Sequence, residues 1–398
     1  MTERASVDVP AGVAVLYVPN LEKALDTIVP FFYDYPARAM RVVGITGTNG
    51  KTTTSYLVRA ILRHAGRRVG LIGTIQAMIE DEVLPTSNTT PDIIVLQQML
   101  AEMRTRGMDT VVMEVSSHAL ALGRVAGIEF DTAVFTNLTQ DHLDFHKTME
   151  NYARAKAHLF ELVSAPGAKE GKTAVLNADD AASETMLAYT RCPIITYGVD
   201  HPADLTAQDV QLACDGMELT LMHGGKRLFH LHTGITGLFN VHNVLAAVGA
   251  SLAEHVAAAD IAAALTAFTG VPGRFELVRE GQDFAVIVDY AHTPDGMENV
   301  LRTARAVTKG RIIAVFGCGG DRDRTKRPIM GRIGAEMADI AILTSDNPRT
   351  EDPAAIVAEV ERGVLPVIGD KPYEKIVDRR TAIFHAIGRA QAGDTVVI

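Results

Sequence analysis

Tryptophan is absent from this 398-residue chain, and only three cysteines occur, Cys192, Cys214 and Cys318. Widely spaced and odd in number, they fit neither a disulfide framework nor a thiolate metal cage, and they are expected to be inert packing residues. There is also no run of about 20 uninterrupted apolar residues of the kind a membrane span requires. The most apolar stretch, 243–268, is broken by Glu254, His255 and Asp260 and reads as a buried helix or helix pair. The first ten residues carry Glu3, Arg4 and Asp8 and no apolar core, so no secretory signal is visible and a cytoplasmic location is expected. Positive charge is not in excess either. Thirty-eight Lys and Arg against 48 Asp and Glu give −10 with both signs interspersed, which leaves no basic face for nucleic acid. Neither an internal repeat nor a low-complexity tract is present.

What the chain does contain is an ordinary globular balance, 47% hydrophobic and 22% charged, which excludes a disordered chain. At roughly 100 to 200 residues per domain the length implies two to four domains. Short β-branched runs that end in Gly, Asn, Asp or Ser alternate with helical patterns, the mark of parallel α/β layering. Strands are expected at 41–45, 110–115, 131–136, 173–177 and 193–197. After Lys51 the apolar positions Leu57, Ala60 and Ile61 recur at helical spacing until Gly66, so the first strand feeds a helix through a glycine turn. Between 204 and 233 the pattern alternates across Gly224 and Gly225, which predicts an antiparallel insertion. Val271-Pro272-Gly273 then breaks the chain, and a second alternating unit follows with strands at 284–289, 311–316 and 340–344 and a helix from about Arg327. A domain boundary near Pro272 is expected.

The strongest local signal is Gly47-Thr48-Asn49-Gly50-Lys51-Thr52 between that first strand and its helix. Backbone N–H groups of such a turn cradle phosphates, the lysine reaches the outer phosphates and the threonine hydroxyl faces magnesium. The general pattern places a glycine five residues before Gly50, where this chain has Ile45, with Gly44 one position off. Glu114 ends a strand at the edge where open α/β sheets bind ligands, and either holds magnesium or caps the next helix. In the segment 141–146, Asp141, His142, Asp144 and His146 invite a zinc reading, but no third soft ligand clusters with them and a phosphate site prefers magnesium with oxygen ligands. Lys156 passes for a surface lysine. Arg274 in Pro272-Gly273-Arg274 is either a presented cation or linker chemistry, and Asp289 and His292 sit at another strand end. Gly317-Cys318-Gly319-Gly320 looks like half of a dinucleotide fingerprint, but Arg322 occupies the third glycine position. The charged run from Asp321 to Arg327 is either a solvated loop or a phosphate-steering one.

Taken in order, GTNGKTTT (47–54), SNTTPD (87–92), EVSSHAL (114–120), TNLTQDHLDFHKTMENYARAK (136–156), FNVHNVLAA (239–247), PGRFE (272–276), DYAHTPD (289–295), GGDRDRTKRP (319–328) and DNPR (346–349) resemble the Mur ligase family from about residue 12 to the end. Its shorter TGTNGKT loop accounts for the shifted glycine. The resemblance implies a central P-loop ATPase-like parallel sheet domain (41–272), a Rossmann-like α/β domain (273–398, incomplete) and a remnant of a uridine-nucleotide domain with its linker (1–40). It also implies a reaction. ATP phosphorylates the terminal carboxylate of UDP-N-acetylmuramoyl-L-alanyl-D-glutamate, and an amino acid's amine attacks the acyl phosphate to give an amide, ADP and phosphate. Lys51, Glu114, His142 and Lys156 would be catalytic, with magnesium held by Thr52, Glu114, His142 and, once carbamylated by carbon dioxide, Lys156. ATP would contact Gly47, Thr48, Asn49, Gly50, Lys51, Thr52, Thr53, Asn243, Arg274, Asp289 and His292. Asn88, Thr89, Thr90, Ser116 and Arg124 match positions that hold the muramoyl peptide. Asp346, Asn347, Pro348 and Arg349 match the form found where meso-diaminopimelate is added, because a guanidinium pairs two-pronged with the distal carboxylate that lysine lacks. A monomer is expected. The rival expectations are an L-lysine-adding homologue, a folylpolyglutamate synthetase-like ligase, or a non-catalytic ATP-binding module, the last because both ends are short against the family pattern.

Overall fold

The computed structural model describes every residue except Ala5, Ser87 and Cys214. The first residue of SNTTPD and the packing expectation for Cys214 therefore lie outside the described residues. Among the described residues the chain builds two sheets. The larger has eleven strands, in the spatial order Lys226–Thr233, Gly216–His223, Leu205–Ala213, Ile194–Gly198, Thr173–Asn177, Thr132–Phe135, Arg41–Thr46, Thr110–Glu114, Val69–Ile72, Ala77–Ile79, Glu82–Leu84. Its middle strands pair in parallel, and Val42, Val43, Ile45, Val111, Val112, Met113, Ala133 and Val134 are buried, as continuous apolar runs covered on both faces must be.

Every strand expected in this half is present, each end within a residue of its expected position. The alternating region 204–233 differs in its role. It is antiparallel, but Leu205–Ala213 pairs in parallel with Ile194–Gly198, so the three strands extend the same sheet instead of forming a separate insertion. The helix pair expected in the alanine-rich stretch is Leu238–Ala253 and Ala258–Thr266. The charge that interrupts it is internal. Glu254 is fully buried and accepts hydrogen bonds from Arg41 Nε (2.6 Å), Arg67 Nη1 (3.0 Å) and Thr132 Oγ1 (2.7 Å), which supplies the partners a buried carboxylate needs.

The smaller sheet runs Glu276–Leu277, Ala285–Val288, Thr395–Val397, Ile312–Phe316, Ile340–Leu343, Tyr373–Lys375 and is parallel except at its first strand. Thr395–Val397, only three residues long, joins two strands more than twenty residues apart in sequence. Helices not anticipated in the sequence, among them Ile93–Thr105, Met149–Ser164 and Pro294–Val307, start at Asp92, Thr148 and Thr293, whose side chains accept from backbone N–H groups of the first turn. Residues 1–40 contribute the helix Leu21–Phe32, which packs against Ile93–Thr105.

The strand Arg41–Thr46 has successors on both sides, Thr110–Glu114 and Thr132–Phe135. Such an order opens a crevice beyond the strands' carboxyl ends, and Gly47–Thr52 lies at it. The second domain covers that crevice. No helix among the described residues is long and apolar enough to cross a membrane.

Candidate functional site

The loop 47–50 is built around two glycines that no other residue can replace without movement. Gly47 has φ +152°, and a Cβ there would fall 1.8 Å from Thr136 Oγ1, the hydroxyl that donates to the Asn49 carbonyl at 2.6 Å. Gly50 has φ +84°, caps the helix Lys51–His64, and a Cβ would fall 2.3 Å from Asn243 Oδ1. Asn243 is buried and donates to Asn240 Oδ1 (2.9 Å), so it cannot simply swing away. The loop is thus formed as a cradle, with Thr53 buried in the first helical turn behind it.

Lys51 Nζ lies inside that cradle and donates to the carbonyls of Gly47 (2.9 Å) and Thr48 (2.8 Å). Burial lowers its pKa, an effect opposed by Glu114. Thr52 Oγ1 donates to Glu114 Oε2 at 3.1 Å and accepts from Arg274 Nη2 at 3.2 Å. Glu114 is fully buried; its oxygens also accept from Thr74 N and Thr74 Oγ1, both at 2.9 Å. A hydroxyl and a carboxylate oxygen set side by side at the foot of a phosphate loop are hard-donor chemistry and fit a magnesium ion. Among the described residues no group of three or more His, Cys, Asp or Glu is arranged to hold a metal.

Lys156, which sequence pattern left as a surface residue, is 1% exposed. Its Nζ donates to the same Gly47 carbonyl as Lys51, at 2.7 Å, and lies 4.4 Å from the centroid of the Tyr152 ring. Burial, reinforced by the neighbouring Lys51 ammonium, holds its pKa well below the ordinary lysine range. Tyr152 OH in turn pairs with Thr48 Oγ1 (3.1 Å), and the Tyr152 ring stacks with His146 (5.0 Å between centroids). His142, in left-handed backbone at φ +55°, stands edge-on to His118 (4.8 Å), and burial pushes its pKa down to about 4, as it does for His146. Both imidazoles are therefore neutral at pH 7, and His146 Nε2 pairs with Ser117 Oγ at 2.9 Å.

The second domain closes on this assembly. Besides Arg274, Asp295 Oδ2 accepts from Asn49 Nδ2 (2.7 Å), and Asp141 has His292 Nε2 at 3.9 Å and Lys326 Nζ at 4.0 Å. Asp289 accepts from Phe275 N (2.7 Å), and burial raises its pKa to about 6 against the pull of Arg274. Between the domains lies a cavity of about 860 Å³ that reaches from the loop to Asp346, Asn347 and Arg349.

Two family models divide this architecture: the Mur ligase middle domain matches residues 45–251, and the Mur ligase glutamate ligase domain matches residues 273–398. The chain belongs to the Mur ligase family. The UDP-N-acetylmuramoyl-L-alanyl-D-glutamate–2,6-diaminopimelate ligase of Bacillus cereus is 48% identical over 393 residues, covering 98% of this chain and 78% of the relative. The same enzyme of Listeria innocua is 47% identical over 395 residues, covering 99% and 80%. A solved structure of a ligase of that name aligns with TM-score 0.69 and 35% identity, covering 98% of this chain and 79% of the other. A Mycobacterium tuberculosis folylpolyglutamate synthase complexed with ADP aligns with TM-score 0.78 over 94% of this chain and 91% of its own, at 20% identity, a likeness of fold alone.

Within this Mur ligase, the residues expected to hold the muramoyl peptide divide. Thr89 and Ser116 line the cavity, whereas Asn88, Thr90 and Arg124 do not. Thr90 is buried; its hydroxyl donates to the Glu114 carbonyl (2.9 Å) and accepts from Ser116 N (3.0 Å), and Arg124 Nη1 donates to the Thr90 carbonyl (3.1 Å). Arg349 lines the cavity with φ +50° and donates to the Gly320 carbonyl at 2.6 Å, while Pro348 packs so closely on Gly320 that a Cβ there would meet the Pro348 carbonyl at 1.9 Å. Gly317 and Gly320 thus allow close loop packing. The charged run splits as well: Arg322 and Lys326 face the cavity, and Arg327 is buried against Glu351 (2.7 Å) and Glu359 (2.9 Å). Cys318 is buried, its thiol pushed up to about 12, and Cys192 is half-buried, which agrees with inert packing for both.

Sequence reasoning missed Thr74, Asp179, His242 and Asp295. Asp179 accepts from His242 Nε2 (2.9 Å) and from the backbone of 199–201, and its pKa is lowered to about 2. The tandem Asp179-Asp180 after the strand Thr173–Asn177 was the available signal, since it stands at the same strand-end edge as Glu114.

Proposed function

We infer that this Mur ligase uses ATP to join meso-diaminopimelate to UDP-N-acetylmuramoyl-L-alanyl-D-glutamate in peptidoglycan precursor synthesis. The observation that carries the reading is the cleft itself: a preformed phosphate cradle and the Thr52–Glu114 oxygen pair on one wall, with Lys156 buried behind the loop against the Gly47 carbonyl, and Arg274, Asp289 and the Arg349 loop on the other wall. Identities of 46 to 48% with diaminopimelate-adding relatives over nearly the whole chain support the choice of substrates.

A carboxylate is a poor electrophile until one oxygen becomes a leaving group, so the first task is to place a muramoyl-peptide carboxylate in line with the γ-phosphorus of ATP. The loop amides and Lys51 hold the phosphates, and Arg274 brings a further cation across the domain boundary to offset the charge of the transferring group. Magnesium, held by Thr52 and Glu114 with His142 and carbamylated Lys156 for a second ion, would neutralise phosphate charge. Carbamylation is chemically open to Lys156. A neutral amine attacks the carbon of carbon dioxide and loses a proton to solvent, and burial beside Lys51 favours the neutral form. The amine of diaminopimelate then attacks the acyl carbon and expels phosphate. Arg349, at the far end of the cavity, supplies the guanidinium for the distal carboxylate. Such soluble chemistry on a nucleotide-linked precursor belongs in the cytoplasm.

The test is ADP formation by the purified chain with magnesium, bicarbonate, the UDP-muramoyl dipeptide and diaminopimelate, compared with each omission. Turnover that requires both substrates supports the reading; ATP binding with no ADP under any combination would reduce the protein to a nucleotide-binding module.

A further inference from the structure

Asp295 stands at the second position of the helix Pro294–Val307, in the C-terminal domain, yet its carboxylate belongs to the phosphate loop. Oδ2 accepts a 2.7 Å hydrogen bond from Asn49 Nδ2, the side chain at the tip of that loop. The direction of the bond is set by chemistry, because an amide nitrogen only donates; the same Asn49 Nδ2 also faces Thr139 Oγ1 at 3.3 Å. Burial raises the pKa of this carboxyl, and the hydrogen bond from Asn49 opposes the rise. The rest of Asn49 is immobilised within the central domain: its N–H donates to Asn137 Oδ1 (2.9 Å), and its carbonyl accepts from Thr136 Oγ1 (2.6 Å) and Asn137 Nδ2 (3.1 Å). A single rigid point on the loop is thereby fastened to the other domain.

The sign of the charge makes this placement informative. A carboxylate beside a loop built to receive a polyanion opposes nucleotide binding, so a role in gripping ATP would select an amide or a cation there. What a carboxylate supplies is a strong acceptor for Asn49. We propose that Asp295 is a positioning residue that fastens the C-terminal domain to the tip of the phosphate loop, so that domain closure and the shape of the cradle form together. This rests on the ligase reading for its kinetic consequence but not for its structural one. Removal of the acceptor should leave nucleotide affinity intact or improved, because a negative charge goes with it, while closure and turnover suffer.

The experiment compares wild type, Asp295→Asn, Asp295→Ala and Asn49→Ala. It reads the affinity for a non-hydrolysable ATP analogue by calorimetry, compaction on adding the analogue by small-angle X-ray scattering, and kcat from ADP release. Asp295→Asn keeps an acceptor oxygen and should stay within about threefold of wild type in kcat, with analogue binding equal or tighter. Asp295→Ala should bind the analogue at least as tightly, lose the compaction, and lose kcat by on the order of tenfold, the worth of one charge-assisted hydrogen bond. Asn49→Ala should lose the compaction too, and the double variant should be no more open than either single one. Retained compaction and kcat in Asp295→Ala would overturn the proposal, as would weakened analogue binding in step with a lowered melting temperature, which would make the residue merely structural. If wild type releases no ADP, the ligase reading fails and the scattering comparison still decides the role of Asp295.

Discussion

Replacing Gly50 by alanine isolates the physical basis of the phosphate cradle. Two costs arise. At φ +84° an L-residue sits in the left-handed region, at about 1 to 2 kcal/mol. The added Cβ would also lie 2.3 Å from Asn243 Oδ1, far inside van der Waals contact, and Asn243 is buried and bonded to Asn240 and to Thr54 Oγ1 (3.5 Å). Overpacking of that kind costs about 1 to 3 kcal/mol. The strain is relieved only by moving the loop or Asn243, and both belong to the nucleotide site. Gly224 provides the control: it also has positive φ, +55°, but a Cβ there meets nothing within 4 Å. Gly224→Ala should therefore cost the backbone term alone and leave ATP affinity unchanged. Gly50→Ala should weaken ATP binding by roughly 5- to 150-fold, the equivalent of the overpacking term at 1.4 kcal/mol per tenfold. Calorimetric titration of both variants with ATP tests this, and equal affinities would refute the claim that the loop needs glycine because Asn243 occupies the space of a side chain.

Three further outcomes follow from the geometry. Lys156→Met should abolish turnover and its dependence on bicarbonate while leaving thermal stability unchanged or raised, because the buried amine has no carboxylate salt-bridge partner among the described residues; a marked loss of melting temperature would contradict the argument. Asp289 holds its proton up to about pH 6 in the folded state against about 3.9 unfolded, so its ionisation destabilises the fold progressively between those values and fully above pH 6. Asp289→Asn should accordingly raise the melting temperature at pH 7.5 but not at pH 3.5, and a difference that is the same at both values would disprove the linkage. Arg349→Ala should erase preference for diaminopimelate over L-lysine, a loss on the order of ten- to more than a hundredfold in the kcat/KM ratio, since one charge-assisted contact is worth about 1.5 to 3 kcal/mol. An unchanged ratio would move specificity elsewhere in the cleft.

Local events, where cause and effect lie within a few residues, are legible from the order of amino acids. Hydrophobic runs fixed the parallel strands to within a residue at each end, and the glycine turn before Lys51 announced a phosphate loop because φ, close approach and helix start are all encoded within 47–52. Glu114 was legible for the same reason, as a carboxylate at a strand end. Whatever depends on which strands become neighbours emerges only when the chain is packed. Lys156 is indistinguishable from a solvated lysine along its own helix; it becomes a buried amine only because the strand order sets Met149–Ser164 beneath Gly47, more than a hundred residues earlier. Asp295 reads as an ordinary acidic residue of a helix's first turn until domain packing brings Asn49 to it across 246 residues of chain. The three-residue strand Thr395–Val397 is too short to carry a periodic signal, yet hydrogen bonding to Ala285–Val288 and Ile312–Phe316 makes it a central strand of the second sheet. Burial and long-range pairing belong to the assembled chain, and a side chain's protonation state and role follow from them.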